Sequence, residues 1–279
     1  MRCSKIKSYA KINLALNVVG KSSSLHKIES IICFSNLHDE ISIKKIKKKY
    51  HKIKFIGKFS NNISSNNTVS KLLEILDKKK LLKGVRFEIV VKKNIPANAG
   101  LGGGSMNAAS ILNFLIKKEL IKIPKKEIYK ICSLIGSDVI LGTYSNNLIL
   151  KSNNTIKDFL FKNNIFTLIV KPNFGCSTEK IYSKVKKFRK ARFNKPIKSM
   201  FNLDFLKKMN NDLELIALNK YPKLNNLKKF LEKLSKVDFV RMTGSGSAII
   251  AYFKSYKTCK DAEKKVKKQF RNYWCKTAK

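Results

Sequence analysis

Pro96-Ala97-Asn98-Ala99-Gly100-Leu101-Gly102-Gly103-Gly104-Ser105-Met106-Asn107 sets four glycines in five positions, in a chain that has only 12. An ordinary surface turn has no need of so many. Ahead of the run, Val85 to Lys92 alternates as a strand does. Behind it, Ala108, Ile111, Leu112 and Leu115 recur at helical spacing and predict a helix over Ser105 to Leu120. Glycines at a strand-to-helix junction let backbone approach a ligand closely. They aim successive N–H groups into one concavity, with the positive end of a helix dipole beneath. Phosphate oxygens need that arrangement. The run is not a Walker A loop, because no Gly-Lys-Ser/Thr follows, and it does not fit G-x-G-x-x-G.

Outward from this junction the chain mixes strands and helices. Ile6 to Val19, Glu40 to Ile46 and Ile53 to Ile56 read as strands, and Ser60 to Asn67 as a loop, with Thr68 capping a helix through Leu76. A helix from Lys125 to Leu134 ends at Gly136, and Leu148 to Lys151 reads as a strand. The polar stretch Ser152 to Asn164 predicts a boundary, with one domain over 1–158 and another over 159–279. Beyond it, Ile165 to Val170 predicts a strand, and helices are predicted at Thr178 to Lys187, Leu203 to Leu218 and Leu224 to Leu234. Strands at Val237 to Arg241 and Ala248 to Phe253 flank Thr243-Gly244-Ser245-Gly246-Ser247, and a Lys-rich helix closes the chain. The mixture predicts an α+β architecture in two lobes.

Sixty Lys plus Arg against eighteen Asp plus Glu give a formal charge of +42. Such a charge suggests an anionic partner. Arginine, the residue that reads nucleic acid through a bidentate fork, occurs only at Arg2, Arg86, Arg189, Arg192, Arg241 and Arg271. Lys, Asn and Ile are inflated together, and their codons share A and T. The charge therefore reads as genomic composition bias on solvated faces. Cys3, Cys33, Cys132, Cys176, Cys259 and Cys275 lie far apart with no His at ligand spacing, which argues against a zinc site or a disulfide framework and for reduced, buried thiols. No apolar run reaches the ~18 residues of a membrane span, so a cytoplasmic protein is expected.

Two further elements carry chemistry. Lys11 lies among apolar neighbours in Ser8-Tyr9-Ala10-Lys11-Ile12-Asn13-Leu14, and Asp138 is one of few acids, in Leu134-Ile135-Gly136-Ser137-Asp138-Val139. Taken singly, the first reads as a solvated strand position and the second as a turn or cap aspartate. Together they offer what phosphoryl transfer to an alcohol requires: a carboxylate to orient the hydroxyl and a cation near developing charge. The Thr243–Ser247 turn reads as a hairpin that brings backbone near a ligand, with Arg241 beside it in a structural role.

In this order the pieces resemble the GHMP kinase superfamily, over about Ser8 to Phe253. Pro96 to Ala109 is similar to its phosphate-binding motif, and Ser8 to Leu14 and Arg241 to Ala248 are similar to its other two motifs. The nearest branch acts on a cytidine diphosphate-linked polyol. That choice rests on Ala10 to Leu14, Leu25 to Ile31, the triple glycine, Gly136 to Val139 and Asn211 to Glu214. The alternatives are a homoserine or mevalonate type kinase and, from another class, a basic nucleic-acid-binding protein.

The resemblance implies a two-lobed fold with the active site in the cleft between lobes. It implies an ATP-dependent small-molecule kinase of isoprenoid precursor synthesis, using ATP with Mg²⁺ and transferring directly to the polyol 2-hydroxyl. Asp138 would act as base with Lys11 beside it. Pro96, Asn98, Gly100, Leu101, Gly102, Gly103, Gly104, Ser105 and Met106 would hold the nucleotide. His26 would hydrogen-bond the cytosine and Tyr182 would stack on it, with Asn13, Thr178, Gly244 and Ser245 close by. No metal ligand set in the chain, no specific nucleic acid partner, no membrane, and a monomer or homodimer are expected. Three positions depart from the family pattern. Leu25 stands where an aromatic ring is usual, Val139 where Pro is, and Met106 where Ser is.

Overall fold

The computed structural model describes residues 3–22, 25–161 and 164–279. In chain order it forms β1 (Ser4–Lys21), β2 (His26–Ile46), β3 (Lys52–Ile56), α1 (Thr68–Lys78), β4 (Arg86–Lys92), α2 (Gly103–Lys117), α3 (Lys125–Ile135), β5 (Asn147–Leu150), β6 (Ile156–Phe159) and β7 (Phe166–Lys171). Then follow α4 (Thr178–Tyr182), α5 (Leu203–Lys207), α6 (Glu214–Lys220), α7 (Pro222–Glu232), β8 (Phe239–Met242), β9 (Ile249–Phe253), α8 (Tyr256–Gln269) and β10 (Trp274–Ala278). The α+β class is as expected. The chain gathers into two compact units, each from separated stretches: Met1–Lys11, Leu37–Ala97 and Gly102–Ser145 in the first; Ile12–Asn36, Asn98–Leu101 and Asn146–Lys279 in the second. A cut at 158/159 divides the chain in a different way, by consecutive sequence.

In the first unit the later half of β2 pairs antiparallel with β4, from Glu40 opposite Lys92 to Ile46 opposite Arg86, and β4 pairs in parallel with β3. Inward residues Ile41, Ile43, Phe87, Ile89 and Val91 meet Leu72 and Leu76 of α1, Ile111 and Leu112 of α2, and Ile131 of α3. The 3.6-residue spacing of the helices and the alternation of the strands supply the two halves of this core. Helix α1 is capped by Asn67, not by Thr68. The Asn67 side chain accepts N–H bonds from Val69 and Ser70, while the Ser70 hydroxyl accepts the Asn67 N–H. Thr68 is one residue too late for that geometry, and its hydroxyl donates to Gly104 O at 2.6 Å.

In the second unit β7 lies between β10 and β9, and β8 pairs with β9, all antiparallel. The early half of β2 pairs with β5, and β5 with β6. Its core joins Leu168, Val170, Ile249 and Ala251 with Leu224, Leu227 and Leu231 of α7 and Val266 of α8.

Several elements differ from their sequence reading. β2 is one strand of 21 residues starting at His26, and its buried polar residues hide the expected alternation. Buried Glu29, for example, accepts from Asn17 Nδ2 and from the N–H groups of Arg192 and Phe193. The helix expected over Thr178 to Lys187 stops at Tyr182. Beyond it Lys184, Lys186 and Lys187 crowd like charges, and the Arg189 N–H bonds Val18 O at 2.9 Å. The helix expected over Leu203 to Leu218 is broken at Asn210–Asp212, which pairs with Leu16 in strand fashion. β6 occupies part of the expected polar boundary, and α8 is followed by β10.

None of the six cysteines is in a disulfide. Five are buried, and Cys3 is exposed. Burial pushes the Cys132 thiol up to about 11.

Candidate active site

The first unit brings Lys11, Asp138 and the start of α2 together. Lys11 sits near the middle of β1, in the run from Ala10 to Val18 where every residue is buried, so both faces of the strand are covered there. Asp138 follows α3 on the turn that Gly136 opens, with about a third of its side chain exposed. Lys11 Nζ and Asp138 Oδ2 are 3.0 Å apart.

Gly102 caps α2 at φ +67, in the left-handed region. A Cβ there would lie 2.8 Å from Lys11 Cγ, so the absence of a side chain lets the Lys11 stem cross the loop. A Cβ on Gly103 would lie 3.0 Å from Ile95 Cγ2 and 3.3 Å from Lys93 Nζ. The loop is therefore close-packed on its inner side. Ser105 is half-buried and Pro96 buried. Met106 is buried; its N–H bonds Gly102 O, and a Cβ on Gly142 would lie 2.9 Å from its sulfur. Val139, at the other family departure, is also buried in this unit's core.

Sequence reading passed over two residues here. Asp39, wholly buried on β2, receives the Lys93 ammonium on Oδ2, while its Oδ1 accepts the N–H groups of Asn94 at 2.7 Å and Ile95 at 2.8 Å. This carboxylate fixes the chain just ahead of Pro96. In a chain so rich in lysine, nothing local marks Lys93.

The second unit laces residues 98–101 to the hairpin turn between β8 and β9. Ser247 N–H bonds Asn98 O, Ala248 N–H bonds Ala99 O, and the Thr243 hydroxyl donates to Gly100 O at 3.3 Å. A Cβ on Gly100, whose φ is +72, would fall 2.0 Å from Thr243 O. Leu101 is buried and Asn98 exposed. Asn13 joins this group: its N–H donates to the Thr243 hydroxyl at 3.0 Å, and its side chain to Ser30 Oγ at 2.8 Å. Gly244 lies against Gly100 and Asn13, with a Cβ there 3.1 Å from Gly100 O and 3.5 Å from Asn13 Oδ1. Asn211 supports the turn from behind, donating to Met242 O and Gly244 O at 2.8 Å each. Arg241 binds the carbonyls of Leu14, Leu206 and Met209, which is the structural role expected of it.

Thr178 and Tyr182 are four residues apart on α4 and so share one face. Thr178 Oγ1 is 2.8 Å from Ser245 Oγ, and the Tyr182 ring is 5.1 Å from the His26 ring, tilted by 39°. His26 is held below the ordinary histidine range, first by burial and then by the charge of Lys21. A neutral imidazole offers one donor and one acceptor. Among the described residues no group of three His, Cys, Asp or Glu side chains is placed to hold a metal ion, and no helix is long and apolar enough to cross a membrane.

Comparison with known proteins adds a family. Residues 67–146 match the GHMP kinases N terminal domain, and residues 185–272 match the GHMP kinases C terminal family. A protein of Pelagibacter ubique (strain HTCC1062) named 4-diphosphocytidyl-2-C-methyl-D-erythritol kinase is 58% identical over 275 residues, 99% of this chain and 98% of that one. One of the same name from Petrotoga mobilis (strain DSM 10674 / SJ95) is 32% identical, over 88% of this chain and 96% of its own. The fold is similar to a crystal structure of 4-(cytidine 5'-diphospho)-2C-methyl-D-erythritol kinase, with TM-score 0.78, 19% identity and 99% of each chain covered.

Proposed function

The chain belongs to the GHMP kinases, within them to the 4-diphosphocytidyl-2-C-methyl-D-erythritol kinases, and from that premise we propose that it phosphorylates 4-diphosphocytidyl-2-C-methyl-D-erythritol from ATP. The observation that carries the chemistry is the Lys11–Asp138 pair, 3.0 Å apart, with the Lys11 stem lying on Gly102 at the head of α2.

In this reading Asp138 orients the polyol 2-hydroxyl and takes its proton as that oxygen attacks the γ-phosphorus. The bond to the bridging oxygen breaks, and ADP leaves with the electron pair. No phosphoenzyme forms. Lys11, paired with Asp138, places positive charge where the transferring group becomes more negative. The backbone of Gly100 and Gly102–Ser105, with Pro96, Asn98, Leu101 and Met106 shaping it, holds the ATP phosphates at the N-terminal end of α2. Packing holds that backbone in place: a Cβ at Gly100 would fall on Thr243 O and one at Gly102 on the Lys11 stem, so the loop keeps one conformation in which its N–H groups are preorganised. Mg²⁺ bound with the nucleotide would supply charge neutralisation on the phosphates, and Asp138, paired with Lys11 beside the loop, would be a carboxylate to face it.

His26 reads the cytosine edge with its one donor and one acceptor, Tyr182 stacks on the base, and Asn13, Thr178, Gly244 and Ser245 line the remainder. The family matches, which end at residue 146 and resume at 185, support a division of the chain near 158/159. A cytoplasmic monomer or homodimer that has no specific nucleic acid partner completes the proposal. The test is ADP release by the purified protein with ATP and Mg²⁺, against a panel of the cytidyl substrate, homoserine and mevalonate. The cytidyl substrate should exceed the others in kcat/KM by at least about a hundredfold. Equal or faster turnover of homoserine or mevalonate would overturn the assignment.

A further inference from the structure

Leu25 is aliphatic, and 64% of it is exposed. It gives a planar base no aromatic face to stack on. The His26 ring next to it nevertheless has a second aromatic neighbour besides Tyr182. The Phe188 ring lies 6.3 Å away, inclined by 54°.

Phe188 is unusual in its setting. It is the sole aromatic residue in Ser183-Lys184-Val185-Lys186-Lys187-Phe188-Arg189-Lys190-Ala191-Arg192, and 48% of it faces solvent. Leaving a large ring half in water forgoes much of the stabilisation that burial gives it. The segment that carries it is nonetheless fixed at both ends. On one side, the N–H groups of Lys184 and Val185 close a turn onto Ile181 O and Tyr182 O. On the other, Arg189 N–H bonds Val18 O, Arg189 Nε bonds Asp212 at 2.5 Å, and the Arg192 and Phe193 N–H groups bond the Glu29 carboxylate at 2.8 and 2.9 Å. Asp212 also accepts the Val18 N–H. An exposed ring on a pinned segment is preorganised to meet a flat partner. The exposed Lys184, Lys186, Lys187 and Lys190 around it suit a partner that carries phosphate.

We propose that Phe188 supplies the second aromatic face for the base of a pyrimidine nucleoside diphosphate substrate, the role that Leu25 does not fill. The inference rests on the reading above and names a specificity-determining residue for it. Stacking on a ring gives affinity without touching the reacting oxygen. Its loss therefore falls on substrate binding, not on the phosphoryl transfer step.

The experiment combines calorimetric binding of cytidine 5'-diphosphate with steady-state kinetics on the cytidyl substrate. The proteins are the full-length wild type, Phe188→Ala, Phe188→Tyr and the double variant Phe188→Ala/Leu25→Tyr. Phe188→Ala should raise the Kd for cytidine diphosphate and the KM for the substrate about tenfold, while kcat, the KM for ATP and the melting temperature stay within error. Phe188→Tyr should keep wild-type values, and Leu25→Tyr should restore most of the loss in the double variant. A wild type that turns over the cytidyl substrate beside a Phe188→Ala protein of equal KM and Kd would overturn the proposal and leave the kinase reading intact. So would a Phe188→Ala protein whose defect comes with a lowered melting temperature and a changed KM for ATP. A wild type that neither binds cytidine diphosphate nor turns over the substrate would overturn both.

Discussion

Replacing Asp39 with alanine removes the acceptor for three donors at once: the Lys93 ammonium and the N–H groups of Asn94 and Ile95. Asp39 is 0% exposed and Lys93 5%, so water cannot easily take the place of the carboxylate. Taking one partner from a buried ion pair costs about 3–5 kcal/mol, because the remaining charge stays desolvated. Each orphaned buried N–H costs about 1–3 kcal/mol in isolation. The losses share one site and relax together, so a total of about 5 kcal/mol is expected rather than the sum. That is a large part of the ~5–15 kcal/mol that holds a domain folded.

Two companion variants separate the causes. Asp39→Asn retains an oxygen for the Asn94 and Ile95 N–H groups and loses the charge, so it should cost about 3 kcal/mol. Asp39→Ala/Lys93→Met removes the stranded ammonium and should recover about 2–3 kcal/mol relative to Asp39→Ala. The assay is urea unfolding followed by far-ultraviolet circular dichroism, which sees the helices of both units. Fluorescence would report from the single Trp274, which lies in the other unit. A loss below about 1 kcal/mol for Asp39→Ala, or a double variant no more stable than the single one, would show that the Asp39 carboxylate does not anchor this segment.

Asp138→Asn should lower kcat about a thousandfold and leave the Kd for ATP within about threefold, checked by single-turnover kinetics and calorimetry; unchanged turnover would remove Asp138 from the mechanism. Gly100→Ala would put a Cβ 2.0 Å from Thr243 O at a φ of +72, so a loss of about 3 kcal/mol in urea unfolding and at least a tenfold weaker ATP affinity are expected. Glu263 gives a pH dependence whose sign is fixed. Burial raises its carboxyl, but hydrogen bonds from Lys260, Lys267 and Thr277 outweigh this and hold it down at about 2. With the folded value below the unfolded 4.5, its contribution is present above about pH 4.5 and is lost as pH falls toward 2. It amounts to at most about 3 kcal/mol, reduced by the solvent-facing lysines, and Glu263→Gln should flatten the urea midpoint across that window.

The glycine run, the strand before it and the helix after it could be read directly because the loop's demands are local: no Cβ, a left-handed residue at Gly102, and apolar spacing downstream. Where partners come from far along the chain, local pattern failed. The break between α5 and α6 is set by Asn211 donating to Met242 O and Gly244 O, some thirty residues away. The continuous β2 is stabilised by Glu29 accepting N–H groups more than 160 residues distant. Each of these polar residues looks like a loop signal when its partner is unknown. Lys11 and Asp138 were legible by the opposite effect, an acid that stands out because acids are few. Lys93 was invisible because lysines are many.

That contrast bears on what the +42 charge means. Among the described residues the buried cationic side chains are Lys11, Lys93 and Arg241. The first two face Asp138 and Asp39, and the third is wrapped by three carbonyl oxygens. The buried acids are equally committed. Glu29 accepts from Asn17, Arg192 and Phe193, Asp39 from Lys93, Asn94 and Ile95, and Glu263 from Lys260, Lys267 and Thr277. A pressure that adds lysine indiscriminately meets a penalty of several kcal/mol wherever the new ammonium would be buried without a partner, and almost none in water. Under any such pressure the interior would act as a filter, and among the described residues both buried lysines, Lys11 and Lys93, stand opposite a carboxylate. On this argument the scarce acids carry more information than the abundant bases. A filter of that kind would leave the Lys11–Asp138 pair and the glycine loop beside it untouched, because both depend on buried contacts that an added lysine could not enter without a partner.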